Sequence, residues 1–134
     1  MEFELKESNG NLKEIVYLLE DEEWGQYYRV VKLLRLLRTP RELSQIETLL
    51  EMHRDVMASF KQFTKARLIL LASYSKRMGL VWTYGVAVWS YDLKEAEEWA
   101  DKIFTALKAV LKGTYRQSVF RELTVEEASE ILRI

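Results

Sequence analysis

The sequence predicts an α+β domain, a long antiparallel helical hairpin with a small sheet of two or three strands, and a mostly helical bundle as the alternative. Three observations predict it. A small polar residue is followed three positions later by glutamate at Asn11…Glu14, Thr39…Glu42, Asp92…Glu95 and Thr124…Glu127. That is the capping-box signature, in which the first side chain accepts from an orphan amide and the glutamate reaches back to the cap's own amide. Apolar residues recur three or four apart on both sides of Thr39-Pro40, the period of amphipathic helices. Residues 80–91 are instead aromatic and β-branched throughout, which suits a strand.

Met1, Phe3 and Leu5 alternate with Glu2, Glu4 and Lys6, the period of a half-buried strand. Ser8-Asn9-Gly10 reads as a turn, and Asn11 as the cap of a first helix. Leu12, Ile15, Val16, Leu19, Tyr27, Val30, Val31, Leu34 and Leu37 keep near-helical spacing, with Gly25 kinking that helix or dividing it in two. Thr39-Pro40 breaks and restarts the chain, since proline suits the first helical position and disfavours helix just before it.

A second helix is expected from Arg41 to Met78, carrying Leu43, Ile46, Leu50, Met57, Phe60, Phe63, Leu68 and Leu71 on one stripe. Lys76, Arg77 and Gly79 read as its C-terminus, with cations at the negative dipole end. Unbroken, it has about 38 residues and is about 57 Å long. A competing reading makes residues 67–74 a strand; helix is preferred because Ala, Arg and Leu dominate and no turn residue precedes Leu68. After the strand at 80–91, Asp92 opens a helix burying Ala96, Trp99, Ala100, Ile103, Phe104, Leu107 and Val110 or Leu111, and Lys112-Gly113 ends it. Residues 115–123 read as a third strand, and residues 124–134 as a closing helix.

At 134 residues, 49% hydrophobic and 31% charged, the chain reads as one globular domain. No apolar run approaches a bilayer span, and residues 1–6 lack the pattern of a secretory signal, so a cytoplasmic protein without membrane contact is expected. The absence of cysteine excludes disulfides and thiolate chemistry. One proline, two asparagines and four glutamines beside abundant charge lean toward a hyperthermophile.

Chemistry is thinly represented. His53 is the only histidine, without the Glu-x-x-His or His-x-x-x-His spacing of a metal site, so no metal, cofactor or catalytic residue is assigned. Phosphate loops, nucleophile elbows and dinucleotide-binding glycine turns are missing too. An enzyme is not expected; the alternative is one with a carboxylate site.

Charge is segmented despite a net of −1. Residues 1–24 carry eight acids and two bases. Arg29, Lys32, Arg35 and Arg38 fall in a stretch without acid, as do Lys61, Lys65, Arg67, Lys76 and Arg77. Arg29, Lys32, Arg35, Arg38, Lys61, Lys65 and Arg67, helped by Tyr27 and Tyr28, are the candidate phosphate contacts. The simpler account makes them cationic flanks balancing acidic neighbours, because a DNA-binding domain usually shows an overall basic excess. Two rods longer than so small a domain must find a cover, so Phe60, Phe63, Leu68 and Leu71 are the candidate interface of a homo-oligomer, or of an unidentified protein partner.

Residues 81–89, 92–111, Phe120-Arg121-Glu122-Leu123 and 124–132 together resemble the N-terminal region of VirB4/HerA-type motor ATPases, especially archaeal plasmid and viral versions. There a long helix leads into a strand, an acid-capped helix, a Phe-Arg-x-Leu-like segment and a capped terminal helix. The likeness covers residues 79–134 and lacks the ATPase core, so it implies an assembly module without its motor and carries over no catalytic residue. The expected function is a non-enzymatic interaction or oligomerisation module of a mobile-element or DNA-translocation system. The alternative is a nucleic-acid-binding accessory protein using the basic segments 29–38 and 61–77.

Overall fold

The computed structural model of the chain describes residues 2–38, 51, 54–55, 58, 66–114 and 119–133. Their order is β1 (Glu2–Ser8), β2 (Asn11–Asp21), β3 (Gly25–Arg38), β4 (Ala66–Ser75), β5 (Gly79–Ser90), α1 (Leu93–Thr114), β6 (Val119–Glu122) and α2 (Val125–Leu132). The strands form one six-stranded sheet in the order β1-β2-β3-β5-β4, with β6 joining β3 beyond the end of β2. Every pairing is antiparallel. Because β5 and β6 both oppose β3, they run parallel to each other with β3 between them, and α1 is the crossover.

The helical hairpin is therefore corrected to strands. Residues 11–38 form β2 and β3, and the stretch expected to end a long helix is β4. Asn9 and Gly10 both have positive φ (53° and 82°), the conformation of a two-residue hairpin turn matched to strand twist. Asn11 accordingly starts a strand paired with Ser8 and caps no helix. Gly25 closes the β2–β3 turn, where Asp21 Oδ1 accepts from the amides of Glu23 (2.8 Å) and Trp24 (3.0 Å). Gly79 closes the β4–β5 turn opposite Ser75 and terminates no helix. Thr39-Pro40 and the capping signal at Thr39…Glu42 lie outside the described residues. Glu51, Arg54, Asp55 and Ala58 are helical and exposed.

Both faces of the sheet are covered, which is why the strands lack clean alternation. On one face Val16, Val30, Leu34, Tyr84, Val86 and Val88 meet Ala96, Ala100, Ile103, Phe104, Leu107 and Leu111 of α1. On the other, Leu12, Ile15, Val31, Leu33 and Ala87 meet Leu123 and Ala128. Each fully buried Leu, Ile or Phe contributes about 1.5–3 kcal/mol. Trp99, expected on the buried stripe of α1, is instead 47% exposed.

The helix starts follow local chemistry. Asp92 Oδ1 accepts from the Lys94 amide at 3.2 Å, while the Asp92 amide donates to Ser90 Oγ. Thr124 and Glu127 complete the reciprocal box that opens α2, at 3.1 Å and 3.0 Å. With eight residues, α2 is about 12 Å long. It covers one end of its face; α1, with 22 residues, runs about 33 Å along the other.

Candidate functional site

The end of the sheet left open by α2 is where the ends of β3, β4 and β5 meet. Alternation along β3 puts Tyr27, Arg29, Val31 and Leu33 on the α2 face. Arg29 is the direct cross-strand partner of Trp89 on β5. Arg67 on β4 pairs with Ala87, and so sits diagonally beside Trp89 on the same face. Its guanidinium carbon lies 5.8 Å from the centroid of the Trp89 ring, a cation–π contact. Trp24 from the β2–β3 turn and Tyr91 just past β5 extend the surface.

Together Trp24, Tyr27, Arg29, Arg67, Trp89 and Tyr91 line a groove of about 400 Å³. Trp24 is 65% and Tyr91 63% exposed. Single exposed aromatics occur elsewhere on the chain, Tyr74 at 73% among them; it is the contiguity of these rings that marks a binding surface. One flank carries the two arginines. The other is bordered by the acidic turn Asp21-Glu22-Glu23, whose Asp21 carboxylate is engaged with backbone amides.

Arg29 and Arg67 differ from the other candidate cations. Lys32 points to the opposite face, where it is 7% exposed and its Nζ lies 2.6 Å from Asp101 Oδ1. Arg35 pairs with Glu127 of α2, which also accepts from Arg121 at 2.6 Å and 2.8 Å. Those contacts, the Arg121 hydrogen bonds first, hold the Glu127 carboxyl down at about 2. Arg77 pairs with Glu130. Among the described residues Arg29 and Arg67 have no carboxylate partner. Lys61 and Lys65, with the Arg38 side chain, lie outside the described residues.

The candidate interface does not assemble as one stripe. Leu68 packs toward the α1 core, and Leu71, three residues along the same strand, belongs to the opposite face. Phe60, Phe63 and His53 lie outside the described residues.

The groove can stack planar rings and pair anions. Its described lining, which also includes Ser90, contains no histidine, cysteine or carboxylate, and no group of three or more His, Cys, Asp or Glu that could hold a metal converges anywhere among the described residues. No helix among them is long and apolar enough to cross a membrane. Trp24, Trp89 and Tyr91 are not among the site residues that the sequence singles out. The i, i+2 pairs Tyr27/Arg29 and Trp89/Tyr91 were the available signal, legible only once both segments are read as strands. Comparison with protein-family models, curated proteins and solved structures finds no match to this chain.

Proposed function

We propose that the protein is a non-enzymatic single-stranded nucleic-acid-binding module, with bases stacked on Trp89, Tyr27 and their aromatic neighbours and phosphates held by Arg29 and Arg67. The observation that carries this reading is a pair of arginines with no carboxylate partner among the described residues, set against an aromatic groove on the end of the sheet that α2 does not cover. Base–aromatic stacking contributes about 1–3 kcal/mol per base and tolerates any base, since each has a π-face. A guanidinium matches phosphate geometry in two parallel hydrogen bonds. Four rings across an open groove suit successive bases of a strand better than one nucleotide.

Tryptophan fluorescence titrated with a short oligothymidylate tests the reading, with thymidine monophosphate as a parallel arm. The strand should quench emission at low salt and be released as salt rises, and the mononucleotide should bind far more weakly. Equal affinity for both would make this a nucleotide site, and no quenching by either would end the proposal.

A second reading, self-association, is favoured by β4. It is a sheet edge of ten residues whose only charge is Arg67, whereas the other edge, β1, carries four charges and a bulge. Among the described residues no other strand pairs with this edge, and an apolar edge is a template for pairing with another chain. Light scattering after size exclusion, repeated with a lysine introduced at the exposed Ala72, decides whether a homo-oligomer forms through it.

A further inference from the structure

Glu14, in the middle of β2, is 1% exposed, an uncommon place for a carboxyl group. Its Oε2 has no hydrogen-bond donor directed at it among the described residues. Around it stand Lys6, its register partner on β1, Lys32 on β3, and Glu97 on α1, which is in hydrogen-bonding contact with it. Both ammonium groups are already engaged with carboxylates of the helix. Lys6 Nζ lies 3.4 Å from Glu97 Oε2, and Lys32 Nζ lies 2.6 Å from Asp101 Oδ1. Lys13, the exposed neighbour on β2, acts on Glu97 from farther off. Fully ionised, the cluster would hold three carboxylates against two ammonium groups, the surplus charge being the most buried.

We propose that Glu14 and Glu97 share one proton, and that this proton is a latch holding the first turns of α1 against β2, released as the solution turns from acid to alkaline. The proton sits on Glu14, where burial first and the adjacent Glu97 second push the carboxyl up to about 7. Glu97 is lowered, chiefly by the hydrogen bond it receives from Glu14. The sign of the linkage follows. A carboxyl raised in the folded state contributes stability that is complete below its ordinary value of 4.5 and lost as pH rises through about 7. The lowered Glu97 contributes in the opposite sense, losing stability only on the acid side of the ordinary value, so the two windows do not overlap.

Glu97 belongs to the second turn after the Asp92 cap, and Tyr91 immediately precedes that cap. Release of the latch therefore loosens the segment that carries Tyr91 into the groove; this consequence alone rests on the proposed binding site.

Amide hydrogen exchange in the first turns of α1, corrected for intrinsic rates, tests the latch without any ligand. Protection in the unmodified protein should fall on the order of tenfold between about pH 5 and about pH 8. In E14Q, whose amide donates to Glu97 at every pH, protection should stay level. The comparison with E14Q removes the contribution of every other titrating group. Level protection in the unmodified protein, or the same fall in E14Q, would overturn the proposal. Should E14Q not fold, E97Q decides the same question, because its amide supplies the donor from the helix side.

Discussion

Arg29 of β3 and Trp89 of β5 oppose one another across the sheet, so that a cation and an indole ring share one edge of the open face. Arg67 closes on the same ring from β4. Three strands thus bring to one spot residues that are 22 to 60 positions apart in the chain.

Replacing Arg29 and Arg67 together by glutamate should abolish binding of an oligothymidylate. Both side chains are exposed, so folding stability should change by no more than about 0.5 kcal/mol per site. Fluorescence anisotropy reads the first effect and urea denaturation the second.

Lys32 separates position in sequence from position in space. It belongs to the same basic run but faces α1, lying 5.7 Å from the Phe104 ring centroid and paired with Asp101. K32A should leave oligonucleotide affinity unchanged while lowering stability by about 1–2 kcal/mol, through lost packing of its stem and the broken pair.

Glu127 joins the cap of α2 to Arg35 of β3 and Arg121 of β6. Its carboxyl is lowered, so the stability it contributes is complete above the ordinary value of 4.5 and lost as pH falls toward about 2. E127Q should cost about 2–3 kcal/mol at neutral pH. It should also flatten the acid limb of the unfolding curve, followed by circular dichroism against pH.

Gly85 permits the close approach of β5 to β3. A Cβ there would stand 2.5 Å from Leu33 Cδ2 and 2.6 Å from the Lys32 carbonyl oxygen. The carbonyl belongs to the sheet ladder and cannot turn away. G85A should therefore destabilise the fold by about 1–3 kcal/mol, measured as a lowered urea midpoint with unchanged slope.

What the sequence discloses depends on how each segment is buried. β1 is recognisable as a strand from the alternation of its sequence, although Phe3 is 48% exposed. Thr124 and Glu127 form the box that their spacing announces, because a cap is decided within four residues. β2 and β3 mislead because they are buried on both faces. Val30-Val31 and Leu33-Leu34 feed two different cores, and a continuous apolar run does not distinguish a doubly covered strand from a helix. The cations deepen the ambiguity: Lys32 and Arg35 sit three apart, as on a helix, yet reach opposite faces to Asp101 and Glu127. Asn9-Gly10 was the decisive local signal for a hairpin, outweighed by the capping pattern that follows it. Arg29 and Arg67 were legible as cations, but their meeting at Trp89 is a property of strand register.

Ultraviolet cross-linking of the protein to an oligothymidylate, with the adducts located by mass spectrometry, bears most directly on the groove. Adducts should fall on Trp24, Tyr27, Trp89 and Tyr91, and disappear when Arg29 and Arg67 are both replaced. Cross-links concentrated elsewhere, or undiminished in that double variant, would contradict the assignment.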